Sequence, residues 1–393
     1  MNRELLVDGK GLLRRAAVLT GGELTDLYID RTDRPARMGA VLLGRVVRLA
    51  AGLEAAFVEI GERLPALLNA ADVRPAPKKG RELRIGQMLR TGQEVVVQVK
   101  ADAHGDKGAV LTMDISLPGR FLVHLPQGQG VHLSKRLAAG PQRTALAAAM
   151  RDAVPPGGGW IVRADAAEAD PGLVALEAEA LYADWRAAES ALAGAEAPQE
   201  LLVPPAAPVR ACVELGGAGF DAIRVEGSEA LLDLKRWCAE RAPDLAARIT
   251  LHIAKLPLFE TGDVEGAIQS LLDRRAPLSH GGSLVIERTE ALTVIDVNGG
   301  ERGNPLSTNL EAVREIARQL RLRNIGGIVV VDFINLAKAY EREQLILALS
   351  HAVSNDPAGT HVYGMSKLGL VEMTRSRRGP PLSDLLAPQA PTL

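Results

Sequence analysis

Cysteine is nearly absent from this chain: Cys212 and Cys238 are the only two in 393 residues, and no CxxC spacing occurs. That argues against a disulfide framework or a cysteine zinc site, and it suits a reducing compartment. Aromatic residues make up only 3%, which limits ring stacking as the main source of affinity for a flat ligand. An excess of one charge is also missing, since 46 Lys and Arg stand against 48 Asp and Glu for a formal net charge of −2. Any site for a polyanion must then be a local patch. No uninterrupted apolar run reaches the ~20 residues of a spanning helix, and no charged-then-apolar leader opens the chain. A soluble, cytoplasmic protein without a membrane span is expected. A Gly-rich phosphate loop with its Lys is lacking too, which disfavours a nucleotide enzyme.

What is present centres on residues 283–373. Two β-branched runs, Leu292-Thr293-Val294-Ile295-Asp296-Val297-Asn298 and Ile328-Val329-Val330-Val331-Asp332-Phe333-Ile334, are bounded by Gly299-Gly300 and Gly326-Gly327 and read as strands. Between them Thr308 and Glu311 form a capping-box pair opening a helix with apolar Leu310, Val313, Ile316, Ala317 and Leu320. Asn324 and the glycines stop it. A strand, helix and strand of this length make a crossover unit, so the two strands run parallel and end at one sheet edge. Asp296 and Asp332 therefore emerge at the edge where open α/β sheets bind ligands. Paired carboxylates repel unless they share a proton or a cation, and oxygen-only ligands favour magnesium or manganese over zinc. The alternative is that each aspartate caps its own loop. Asn298, two residues past Asp296, could orient a ligand. On the helix, Arg314, Arg318 and Arg321 follow one side, a guanidinium row suited to phosphates or to a solvated surface.

The run from Ile286 to Asn298, then Thr308-Asn309-Leu310-Glu311-Ala312, Glu315 to Arg323, Gly326-Gly327 and Val331-Asp332-Phe333-Ile334 resembles the catalytic core of the ribonuclease E/G family. The resemblance covers most of the chain. It implies a multi-subdomain α+β and α/β protein. Residues 1–35 with 205–270 would form a ribonuclease-H-like structural subdomain and 36–118 an inserted OB-fold β-barrel for RNA. A 5′-phosphate sensor region would follow at 119–204, a deoxyribonuclease-I-like catalytic domain at 271–380, and a tail at 381–393.

Several residues take roles from that resemblance. The opening hairpin turns at Gly21-Gly22, and Asp26 and Asp30 are read as surface or turn residues. Short strands at 40–49, 54–61, 93–100 and 109–112 suggest a small closed barrel. In it Phe57 is either core or a base-contacting aromatic, and Lys107 is a second nucleic-acid contact. The family's second aromatic on this face is replaced within Leu64-Pro65-Ala66-Leu67. Gly119, Val123 and Arg163 match the 5′-monophosphate pocket, with Ala164 where a threonine is expected. His252 reads as structural, and Lys367 as a contact to the scissile phosphate or an ordinary strand-edge lysine. The cysteine pair that shares zinc between family subunits, and the small domain beyond it, are not in this sequence. No zinc and at most a homodimer are expected.

Together with the paired aspartates, the resemblance implies a magnesium-dependent endoribonuclease, with manganese as a substitute ion, that cuts single-stranded RNA in RNA processing, rRNA processing or decay. Asp296 and Asp332 would hold the ion, and Asn298 would complete the catalytic set. The resemblance also implies product ends of 5′-phosphate and 3′-hydroxyl. The competing reading is an RNA-binding protein of the same family that is weak or inactive in catalysis.

Overall fold

A computed structural model describes residues 2–74, 84–137, 140–300 and 303–387; the end of the expected tail, from 388, lies outside them. The chain forms two compact units, one of Met1–Leu6, Ala17–Ile29 and Ile253–Leu393, the other of Val7–Ala16 and Asp30–His252. Among the described residues no helix is long and apolar enough to cross a membrane.

The first unit is built on a six-stranded sheet in the order Arg275–Pro277, Ser283–Arg288, Leu292–Asn298, Gly327–Asp332, Leu370–Arg375, Thr360–Met365. Its two central strands are parallel, with Leu292 opposite Ile328 and Asp296 opposite Asp332. The other neighbours are antiparallel. Alternation decides the faces. Ile295, Val297, Val329, Val331 and Val371 turn inward and pack with Val313, Ile316 and Leu320 of helix Pro305–Leu322 and with Leu345 and Leu349 of helix Ala339–Ala352. Asp296 and Asp332 therefore point to the face away from both helices.

The connecting helix begins earlier than its Thr308 and Glu311 spacing suggests. Pro305 occupies the first turn, and Asn304 is the N-cap, its side chain accepting from the Ser307 N–H at 3.3 Å. Proline is preorganised for that place, so Thr308 falls inside the helix and is buried. Glu311 lies 3.2 Å from His280 Nδ1 instead of capping. The predicted stop is present. Asn324 adopts φ +49, its N–H donates to Arg321 O, and Ile325 N–H donates to Leu320 O, the paired bonds of a Schellman ending. The hairpin turn at Gly21 and Gly22 is also as expected, with φ +62 and +85, values that suit a tight two-residue turn.

In the second unit, strands Val41–Ala50, Ala55–Glu59, Ala66–Asn69, Val110–Thr112 and Glu94–Ala101 pair in that order, and Val41–Ala50 pairs back onto Glu94–Ala101. The result is a closed five-stranded barrel around Val46, Ala56, Val58, Leu68, Val97 and Leu111. Gly44 permits the closure: a β carbon there would lie 2.6 Å from Val58 Cγ1. Four strands match the expected runs. Ala66–Asn69 does not, because four residues behind Pro65 are too few to show alternation. A separate four-stranded sheet orders Gly130–Leu133, Gly159–Val162, Leu122–Leu125 and Leu117–Pro118. It packs on helix Pro171–Leu192 through Leu122, Trp160, Val162, Val174 and Ala178.

Candidate active site

Asp296 and Asp332 sit directly across from each other on the two parallel strands, so their side chains leave the sheet on the same face, at neighbouring-strand spacing of about 4.8 Å. Both are exposed. Asn298 shares that face, and its Nδ2 donates to Asp296 Oδ2 at 2.8 Å, which fixes the first carboxylate's orientation. Two ionised carboxylates this close repel, and a shared cation relieves them. Among the described residues no cluster of three or more His, Cys, Asp and Glu is placed to hold a metal. Two carboxylates with an amide beside them are oxygen donors to which a divalent cation that keeps several of its own waters could bind.

The same sheet edge gathers further groups. Leu370 is the register partner of Asp332, so the turn that carries Lys367 lies at the aspartate end of the sheet, with Ser366 N–H donating to Leu370 O at 2.8 Å. Lys367 is exposed. Asn309, fully buried, clamps the segment just past Asp332. Its Nδ2 donates to Ile334 O at 2.8 Å, and its Oδ1 accepts from Ile334 N–H at 3.1 Å. The only trace of this clamp in the sequence is that Asn309 falls on the helix face that also buries Ala312, Val313 and Ile316.

The helix arginines are not gathered there. Their helix packs on the other face of the sheet. Arg318 donates through Nε to Leu24 O at 2.8 Å and pairs with Glu23 and Glu315 at 3.2 and 2.8 Å. Arg321 pairs with Asp26 at 3.3 Å. Arg314 alone of the row is exposed. These contacts also correct the reading of Asp26, which is buried against Arg321 rather than free on a turn. Asp30 likewise pairs with Arg210 at 2.7 Å and accepts from Ala207 N–H.

On the barrel, Phe57 lies outside the buried core. It stands in register with Arg48 on one side and Leu67 on the other. The Arg48 guanidinium carbon is 4.2 Å from the ring centroid, a cation–π contact that covers one ring face. Leu67 occupies the position across from Phe57, so a single aromatic serves this row. Lys107 is exposed in a tight turn closed by paired bonds with His104.

Gly119, Val123 and Arg163 converge around the small sheet. Val123 pairs with Ile161, two residues before Arg163. Arg163 Nη1 donates to Gly119 O at 2.6 Å and Val213 O at 3.0 Å, and Nη2 donates to Glu214 O at 3.2 Å. These partners are neutral carbonyls, which position the guanidinium. Ala164 opens a short 3-10 helix and adds no donor of its own side chain. The neighbouring Arg120 is otherwise committed, to Asp244 at 2.8 and 2.7 Å and to Gly216 O at 2.9 Å.

Residues 116–378 match the Ribonuclease E/G family. The chain is 34% identical to Ribonuclease G of Haemophilus influenzae over 404 residues, which cover 99% of this chain and 82% of that protein. It is 34% identical to Ribonuclease G of Escherichia coli K12 over 407 residues, covering 100% and 83%. With Ribonuclease E of Nostoc sp. the identity is 34% over 388 residues, 96% of this chain and 56% of that one. The chain belongs to the ribonuclease E/G family.

Proposed function

We propose that this endoribonuclease cuts single-stranded RNA with a magnesium ion held by Asp296 and Asp332, leaving 5′-phosphate and 3′-hydroxyl ends. The observation that carries the reading is the register match of the two aspartates on one exposed face. When bound, the ion supplies positive charge at the phosphate and makes a coordinated water more acidic; manganese, another oxygen-seeking ion, would serve in its place. Asn298 holds Asp296 in the orientation it needs, by the 2.8 Å bond. Lys367, at the same edge, offers its ammonium to the scissile phosphate.

Away from the aspartates, Phe57 stacks on a base through the ring face that Arg48 leaves open, and Lys107 contacts the backbone. Arg314 is the helix arginine available to phosphate, while Arg318 and Arg321 serve mainly to hold the hairpin at Glu23–Asp26. Gly119, Val123 and Arg163 receive a 5′-monophosphate. Two buried free cysteines are in keeping with work in the reducing cytoplasm, on RNA processing that includes ribosomal RNA.

Incubating the protein with a 5′-labelled unstructured RNA tests the reading. Discrete shorter products with magnesium and none with excess chelator are expected. RNA that is bound but uncut in both conditions would favour an RNA-binding protein that has lost catalysis.

A further inference from the structure

Glu177 is a carboxylate turned into the interior of the unit that carries Arg163. It lies on helix Pro171–Leu192 between the buried Val174, Ala178 and Leu181, and is itself 6% exposed. Burial pushes its carboxyl pKa up, while bonds from the Phe121, Arg120 and Leu122 main chain and the charge of Arg120 pull the other way. A charge in such a place must be satisfied by donors. Here they are three successive main-chain N–H groups: Arg120 N donates to Oε2 at 2.6 Å, and Phe121 N and Leu122 N donate to Oε1 at 2.8 Å each.

The same loop is gripped from its carbonyl side by Arg163. The side chain takes Gly119 O at 2.6 Å, and its main-chain N–H donates to Phe121 O at 2.8 Å. Glycine at 119 is required by this arrangement, since a β carbon there would fall 2.4 Å from the Glu177 carboxyl carbon and Oε1. One side chain thus collects the N–H groups of the loop while the other collects its carbonyls.

We propose that Glu177 is a positioning residue for recognition of the RNA 5′ end. By holding residues 119–122 it sets the carbonyl of Gly119, and through it the place at which the Arg163 guanidinium meets a terminal phosphate. The proposal rests on the reading of Arg163 as the 5′-phosphate contact. Glu177→Gln keeps the volume but replaces one acceptor oxygen with an NH₂ group, which faces a main-chain N–H donor to donor. At least one of the three loop bonds is then lost.

The test compares cleavage of one unstructured RNA carrying either a 5′-monophosphate or a 5′-hydroxyl, by the wild type, Arg163→Ala and Glu177→Gln, with kcat and KM measured separately. The wild type should prefer the monophosphate, and Arg163→Ala should abolish the preference. Glu177→Gln should lower the monophosphate-to-hydroxyl ratio by about fivefold, the equivalent of one hydrogen bond, and the change should lie in KM for the monophosphate RNA. Glu177→Asp, which keeps the charge but draws the carboxylate back from the three loop N–H groups, should lower the ratio in the same direction, and serves where Glu177→Gln does not fold. If Arg163→Ala abolishes the preference while Glu177→Gln and Glu177→Asp lower both rates equally or leave the ratio alone, Glu177 is structural and the proposal fails. If Arg163→Ala keeps the wild-type preference, the 5′-phosphate reading itself is wrong and the proposal falls with it.

Discussion

Asn309→Ala removes a clamp rather than a metal ligand, and its consequence can be worked from two bonds. The amide joins helix Pro305–Leu322 to both main-chain groups of Ile334, two residues beyond Asp332. Truncation leaves the Ile334 N–H and C=O without these partners, at about 1–3 kcal/mol for each buried group. Because Ile334 is only half-buried, the lower half of that range applies, and the sum is about 2–4 kcal/mol. Loss of that anchor also frees the segment that follows Asp332, so the carboxylate samples orientations that no longer match Asp296. Thermal unfolding should show a midpoint several degrees lower, and the magnesium concentration for half-maximal cleavage should rise. RNA binding without metal should change little. Asn309→Asp still accepts from the Ile334 N–H but sets an acceptor oxygen against its carbonyl at a fully buried site, so it should not restore the wild-type midpoint. An Asn309→Ala protein with wild-type stability and an unchanged magnesium midpoint would refute this account of how Asp332 is held.

Phe57→Ala should weaken single-strand binding by about 1–3 kcal/mol, the worth of a stacked base, without loss of fold; unfolding with no separate binding defect would make Phe57 a core residue. Asp356 and Arg375 form a buried pair at 2.6 Å, and Arg375→Met should cost about 3–5 kcal/mol in urea unfolding at pH 7 by stranding the carboxylate. Burial alone would raise the Asp356 pKa, but the hydrogen bond and charge of Arg375 outweigh it and hold the group below its ordinary value. The pair's contribution is therefore present above the unfolded carboxylate pKa and lost as pH falls through the lower folded one. The gap between wild type and variant should shrink in acid, and a gap constant down to about pH 3, below the unfolded value, would contradict the pairing. The Cys238 hydrogen bond, with burial, pushes the Cys212 thiol far up, so Cys212 should not react with a thiol reagent at pH 8 until the protein is denatured, and burial shields Cys238 from the same reagent.

The central strands are legible because β-branched runs between glycine pairs leave few other readings, and the equal offsets of Asp296 from Leu292 and of Asp332 from Ile328, which pair in register, bring the two aspartates level. Asn324 as a helix stop was legible for a local reason, its tolerance of positive φ. The helix start differs from the expectation because Thr308 and Glu311 have capping-box spacing by coincidence, while Asn304-Pro305 holds the true signal. The fate of Arg318 and Arg321 was not legible at all. Their partners Leu24 and Thr25 lie 294 and 296 positions away in sequence, and spacing on a helix says nothing about what packs against it. Glu177 and Asn309 left a fainter trace: each is a polar residue on the apolar stripe of its helix, a conflict that marks a buried hydrogen-bond site.

Cleavage of a 5′-labelled unstructured RNA by Asp296→Asn and Asp332→Asn, measured beside binding of the same RNA, bears most directly on the paired carboxylates. Each variant should lose about a thousandfold in cleavage rate, the equivalent of about 4 kcal/mol of transition-state stabilisation, while RNA affinity stays within a few-fold. Cleavage by either variant near the wild-type rate would show that the two aspartates do not hold the catalytic ion.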